Sequence, residues 1–320
     1  MIFDLPLVYV GIAAFFVATT IATLGHVTMK MHADHLKLAT DEKAGGLWKR
    51  YKYVCVSVAL YVAGGAIDLS VNRLIPFYIR ACFAALDIPI YVLFARAILH
   101  EVMDAKQTMG VMISVIGCSV AVALSAHPVA SKTKADLIDS IFSYKVGVLT
   151  AISVPLFFAA VYAVRTAVKS NQEVHDSKRL WLLSCGVFAS SYTATWASLL
   201  VRTVSELAHY AIFDPVTLLM ALGLVLMSVA QLATMADMHA LFKSVVSMPF
   251  YLICNAAGIV LLSSIVFNEV PAHVYLFGLS MVASFVGIGL IVHKAPEEIE
   301  DDPIEDMMDE ERQLLTEVHE

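Results

Sequence analysis

Residues 74–99 read LIPFYIRACFAALDIPIYVLFARAIL, a run whose only charged side chains are Arg80, Asp87 and Arg96. A helix needs about 20 apolar residues to cross roughly 30 Å of hydrocarbon, and a water-soluble core has no use for so long a run. It does not stand alone. Runs of similar length cover Leu5–Val27, Tyr53–Val71, Leu74–Leu99, Met109–Ala126, Val146–Ala167, Leu180–Val201, Val216–Ala236, Val245–Phe267 and Val270–Val292. This pattern predicts an all-α, polytopic membrane protein with about nine transmembrane helices, whose first partner is the lipid bilayer. The apolar fraction of 59 % and mean hydropathy of +0.76 agree.

The net charge of -7 is unevenly spread. Residues 295–320 hold twelve Asp or Glu and one Arg, so residues 1–294 are weakly basic. The chain therefore divides into a transmembrane domain, 1–294, and an acidic tail, 295–320, too charged to bury a core and expected to be disordered. A weakly basic membrane body gives no reason to expect nucleic acid. The cysteines, Cys55, Cys82, Cys118, Cys185 and Cys254, lie in apolar runs without a CxxC pair and read as packing residues. The start, Met1-Ile-Phe-Asp4, lacks a basic segment, and the first run exceeds a signal-peptide core, so Leu5–Val27 is expected to stay as a membrane helix. Lys30, Lys37, Lys43, Lys49, Arg50 and Lys52 follow that helix, which places this loop and the C-terminus in the cytosol and the N-terminus outside or in a lumen.

An internal repeat adds topology. Pro76-Phe77-Tyr78-Ile79 recurs as Pro249-Phe250-Tyr251-Leu252, and Ala84-Ala85 as Ala256-Ala257. Both helices end in Glu-Val, Glu101-Val102 and Glu269-Val270; Gly110 and Gly278 follow nine residues after each Glu, with Gly117 and Gly287 beyond. Helices one to four and six to nine then form two four-helix copies around a linking fifth. A displacement of five helices turns the second copy over, and inverted repeats of this kind mark secondary transporters with a site near the midplane.

This element, an apolar helix ending in Glu with glycines in the next helix, resembles the drug/metabolite transporter superfamily, most nearly its NIPA-type magnesium transporter branch. Ile67–Pro128 carries the resemblance through Pro76, Ala85-Leu86, Pro89, Glu101, Gly110 and Gly117. Gln231–Val292 carries it through Gln231, Ala240-Leu241, Phe242, Tyr251 and Glu269. The chain departs from the branch at Asp68, usually Asn, at Ala81–Leu86, and around Ile21–Met31, where only Lys30 fits. The resemblance implies a carrier whose cargo is Mg²⁺; no cofactor is implied.

Polar residues inside the helices are candidates for the path, because an ionisable group in hydrocarbon is costly unless paired or wet. Asp87 lies near the middle of its helix, and Pro89 deprives the Ala85 carbonyl of its usual donor. A carboxylate beside a free carbonyl suits a hard cation or a proton. Alternatively Arg80, about 10 Å away along the same helix face, neutralises Asp87. Asp68 and Arg80 lie at similar outer depths, as an ion pair or a charged gate, and Asp68 joins Asp87 as a tentative metal ligand. Asn255 and Gln231 extend the set. Asn255 either ligates a cation or bonds between helices, and Gln231 also matches the family. Ser190, Ser191, Thr193, Thr195 and Ser198 read as close-packing hydroxyls, and His26, His32 and His35 as solvated interface residues.

No phosphate-binding loop, zinc-protease helix or nucleophile elbow is present, so an ATP-driven pump or membrane hydrolase has no support and the protein is not expected to be an enzyme. Glu310-Glu311-Arg312-Gln313-Leu314-Leu315 resembles an acidic dileucine signal, in which Glu310, Leu314 and Leu315 would engage sorting adaptors at an endosomal or lysosomal membrane; otherwise the plasma membrane is expected. The functional expectation is a secondary transporter moving Mg²⁺ or another divalent cation by alternating access. Alternatives are a carrier of a small organic solute, which Arg80 favours, and a non-transporting scaffold. Topology is directly testable: a cysteine replacing Ala44 should resist an impermeant thiol reagent in intact cells, and labelling there overturns the assigned orientation.

Overall fold

The structure, a computed structural model, describes residues 5–38, 47–71, 77–101, 103–125, 133–170, 176–210, 213–267 and 273–292. The tail with Glu310, Leu314 and Leu315 lies outside them, as does Glu269. Ten α-helices follow one another: α1 (Leu5–Leu38), α2 (Leu47–Val71), α3 (Phe77–Ile98), α4 (Ala105–Ser125), α5 (Lys134–Ile141), α6 (Tyr144–Ser170), α7 (Asp176–Tyr210), α8 (Pro215–Leu241), α9 (Ser244–Phe267) and α10 (Val274–Val292). Among the described residues there is no strand. Among the described residues five stretches are long and apolar enough to cross a membrane: Lys52–Ser70, Lys134–Ser170, Pro215–Leu241, Ser244–Val266 and Val274–Ile291.

A helix occurs at each of the nine apolar runs, and α5 is additional. Its start has a capping box: Thr133 accepts from the Asp136 amide while the Asp136 carboxylate accepts from the Thr133 backbone. The nearby Asp214 caps α8 at the Val216 amide and pairs with Lys134 at 2.8 Å. The Lys134 ammonium holds the Asp214 carboxyl below its ordinary range.

Burial on α8 shows what the outer surface faces. Leu218, Leu219, Leu222, Val225, Leu226 and Val229 are exposed, while Met220, Gln231, Thr234, Met235, Met238 and His239 are buried on the other side. Large aliphatic side chains over an exposed helix face belong against lipid, so the usual amphipathic contrast is weak and the polar residues turn inward. The interior has two apolar clusters at opposite ends of the bundle. One gathers Ile88, Tyr91, Leu183, Met235, Met238 and Ile253, the other Leu199, Leu207, Met220 and Leu262.

The most extensive helix contacts are α4 on α10, α1 on α2 and α7 on α8. In lipid such contacts depend on close backbone approach and hydrogen bonds between helices. At α4–α10 the Ser114 hydroxyl donates to the Ser284 carbonyl at 3.1 Å, and the Ser284 hydroxyl to the Ser114 carbonyl at 3.4 Å. A Cβ at Gly110 would lie 2.6 Å from the Gly287 carbonyl, and one at Gly287 would lie 2.5 Å from the Gly110 carbonyl. Gly278, matched to Gly110 by its distance from Glu269, has nothing within 4 Å of its added Cβ. Gly287→Ala should therefore force the helices apart and cost about 1–3 kcal/mol. Gly278→Ala should be neutral or slightly stabilising in the same thermal unfolding measurement in detergent.

Candidate functional site

The polar residues collect where the two apolar clusters give way to each other. The Gln231 side-chain nitrogen on α8 donates to the Tyr251 hydroxyl on α9 at 2.7 Å and to the Tyr61 hydroxyl on α2. The His26 ring on α1 stands edge-on to both tyrosines, with centroids 5.0 Å from Tyr61 and 6.1 Å from Tyr251. Asp87 on α3, half-buried, is close enough to act electrostatically on both hydroxyls. Five helices thus each present one polar group to the same interior space. The amide spends both of its hydrogens on the phenols, and the two phenol hydroxyls are hydrogen-bonded to each other as well.

One turn farther along α1 is Lys30, only 5 % exposed, whose ammonium donates to the His239 carbonyl at 3.2 Å. The Phe242 carbonyl lies at 3.5 Å. Both carbonyls belong to the end of α8, where the helix leaves its acceptors unused and its dipole is negative, so the cation suits the position. The His239 ring is fully buried, neither ring nitrogen has a hydrogen-bond partner, and Lys30 and His26 both act on it electrostatically.

The opposite charge closes the start of α9. The Glu101 carboxylate accepts from the Ser244 amide at 3.1 Å, the Ser244 hydroxyl at 2.7 Å and the Val245 amide at 2.8 Å. Glu101 reaches α9 because His100, with φ of 54°, ends α3 in the left-handed region and turns the chain.

The candidates named from sequence separate into groups. Asp87 and Gln231 belong to the convergent cluster. Asn255 accepts from the Thr195 hydroxyl at 3.1 Å and thereby joins α9 to α7, where a Cβ at Gly258 would strike Thr195. Thr195 is buried, with Ser190, Ser191 and Thr193. Asp68 is half-buried near the end of α2. Arg80 and Ala85 lie in α3, but their side chains are outside the described residues, and with them any pairing of Arg80 with Asp68 or Asp87. Among the described residues no group of three or more His, Cys, Asp or Glu is gathered as a metal site requires.

His26, Lys30 and His32 correct the sequence reading. The first helix does not end at Val27 but runs to Leu38, and all three side chains are buried rather than solvated. The spacing of His26 and Lys30, four residues and so one turn, was the available signal, hidden by assigning Lys30 to a loop. Tyr61 and His239 carried no signal of their own.

Searches against protein-family models, curated proteins and solved structures give no match. The site therefore rests on its own geometry.

Removing the cap on α9 offers a check on that geometry. Glu101→Ala should lower stability by about 1–2 kcal/mol, as loss of a helix cap does, whereas Glu101→Gln, which keeps an acceptor oxygen, should cost less. Denaturant titration in detergent reads both.

Proposed function

We propose that this chain is a secondary membrane transporter of the drug/metabolite type. Its nine long helices would all cross the bilayer, with two inverted copies alternating in access to a central site. The observation that carries the reading is the convergence of His26, Tyr61, Asp87, Gln231 and Tyr251 from five helices at the middle of an otherwise apolar bundle. A scaffold has no use for such an arrangement, since every buried polar group costs free energy that packing residues would not.

The pattern of contacts supports the inverted repeat. Exchanging α1–α4 with α7–α10 carries α1–α2 into α7–α8, α1–α3 into α7–α9 and α1–α8 into α2–α7, while α4–α10 and α3–α9 map onto themselves. The reciprocal bonds of Ser114 and Ser284 obey the same exchange, and so do two buried bases, Lys30 on α1 and Arg202 on α7. The short α5 and the long α6 are left over by this operation and together form the connector.

For the cargo, the site favours a small polar organic solute. The column through the bundle holds a buried ammonium, two imidazoles, an amide and two phenols beside Asp87, whereas Mg²⁺ selects carboxylates and bound water. A divalent cation remains the second reading, favoured by Asp87 itself and by the resemblance to magnesium transporters. Uptake by the purified protein in liposomes, with Mg²⁺ set against small organic solutes, tests both readings. Asp87→Asn should reduce transport at least tenfold while leaving thermal unfolding nearly unchanged. Full activity in this variant overturns the proposed path, and failure of the wild-type protein to move any solute overturns the transport reading.

A further inference from the structure

We infer that the end of α6, with the adjoining end of α8, binds the headgroup of an anionic phospholipid through Arg165 and Lys169. The inference needs α6 to cross the bilayer and is independent of any cargo.

Arg165 carries the argument. Its Nε donates to the Asp237 carboxylate of α8 at 3.0 Å, which fixes the guanidinium against the neighbouring helix, yet the side chain is 54 % exposed. The Nε–H is one of five donors in a planar fork. Among the described residues nothing accepts from the two Nη groups, so the fork is held in place with donors to spare for an acceptor from outside the chain. Lys169 lies one turn farther along α6 and is exposed as well.

These residues continue a stripe. Phe158, Tyr162, Arg165 and Lys169 fall on one edge of α6, and all are exposed, Phe158 at 64 % and Tyr162 at 74 %. Along this edge the chain passes from ring to phenol to guanidinium to ammonium, the order of polarity met on leaving hydrocarbon for the headgroups. With 27 residues α6 is about 40 Å long, roughly 10 Å more than the hydrocarbon it crosses. Arg165 lies five residues before its end and Asp237 four before the end of α8, a depth from which a long side chain reaches the phosphates.

Charge selects the lipid. Arg165 and Asp237 cancel, so with Lys169 the three carry one net positive charge. A phosphodiester matches it with a single negative charge, and its free oxygens accept from the Nη fork and the ammonium together. Phosphatidylcholine has the same phosphodiester, but its quaternary ammonium cancels that charge. A lipid amine could meet Asp237 only by displacing Arg165. Soluble phosphate lacks the acyl chains that lie against Phe158 and Tyr162, so the site belongs to a lipid.

The test is thermal unfolding of the purified full-length protein in an uncharged detergent at physiological ionic strength. Phosphatidylglycerol or phosphatidylcholine with identical acyl chains is added as mixed micelles, and inorganic phosphate is titrated separately. Phosphatidylglycerol should raise the melting temperature saturably, at a mole fraction at least fivefold lower than phosphatidylcholine requires, and phosphate should have no saturable effect. Lys169→Gln, at an exposed position, should keep the lipid-free melting temperature and weaken phosphatidylglycerol about fivefold. Arg165→Gln combined with Asp237→Asn leaves no carboxylate alone and should weaken it about tenfold. Asp237→Asn by itself keeps the guanidinium and should bind at least as tightly as wild type. Equal stabilisation by the two lipids, saturable stabilisation by inorganic phosphate, or unchanged phosphatidylglycerol affinity in Lys169→Gln or in the double variant overturns the assignment. So does weaker binding in Asp237→Asn alone, which would put a lipid amine at that carboxylate.

Discussion

Between α8 and α9 the chain has only Phe242 and Lys243 in which to end one helix and begin the next. A helix end leaves several carbonyls or amides without partners, and the interior offers little water to serve them. Here one end receives an ammonium from α1 and the other a carboxylate from the segment after α3, each matched in sign to the helix dipole it meets. The corner thus binds together the helices that also supply Tyr251, Gln231, His26 and Asp87. Loosening it would displace most of the polar cluster at once, so the placement of the site depends on the completion of two broken backbone ladders.

The cluster itself is polar groups held at fixed positions in a medium that penalises them. Gln231 occupies both of its amide hydrogens with phenols, and the phenols orient the His26 ring by their edges. Such a network is rigid where it is satisfied and receptive where it is not. The satisfied part lies around Gln231 and the unsatisfied part at His239, one turn of α1 apart. This gradient gives the interior a direction.

The helical class, and the presence of a helix at each apolar run, were legible in the sequence because a helix that crosses hydrocarbon needs a long apolar stretch; where the first helix ends was not. Gln231 and Asp87 were legible as polar exceptions within those runs. Lys30 and His26 were misplaced because a base near the end of an apolar run looks the same whether it meets water or a neighbouring helix end, and the α8 carbonyls that receive Lys30 are more than two hundred residues away. Asn255 was legible as a polar residue, but its partner, the Thr195 hydroxyl, depends on how α7 and α9 cross. Spacing from Glu269 gives Gly278 a place along its helix but not the direction it faces, and an added Cβ there meets nothing, unlike one at Gly110. Tyr61 belongs to a helix rich in aromatic and aliphatic residues, and only packing distinguishes it from them.

The contact of α4 with α10 has a mechanical consequence. The helices run antiparallel, touch backbone to backbone at Gly110 and Gly287, and exchange equivalent hydrogen bonds at Ser114 and Ser284. The seam is thus bonded alike from both of its helices, with no room at either glycine for a further atom. Sliding one helix along the other would break both bonds and drive a carbonyl into the facing backbone, so the pair is held at one register and one separation.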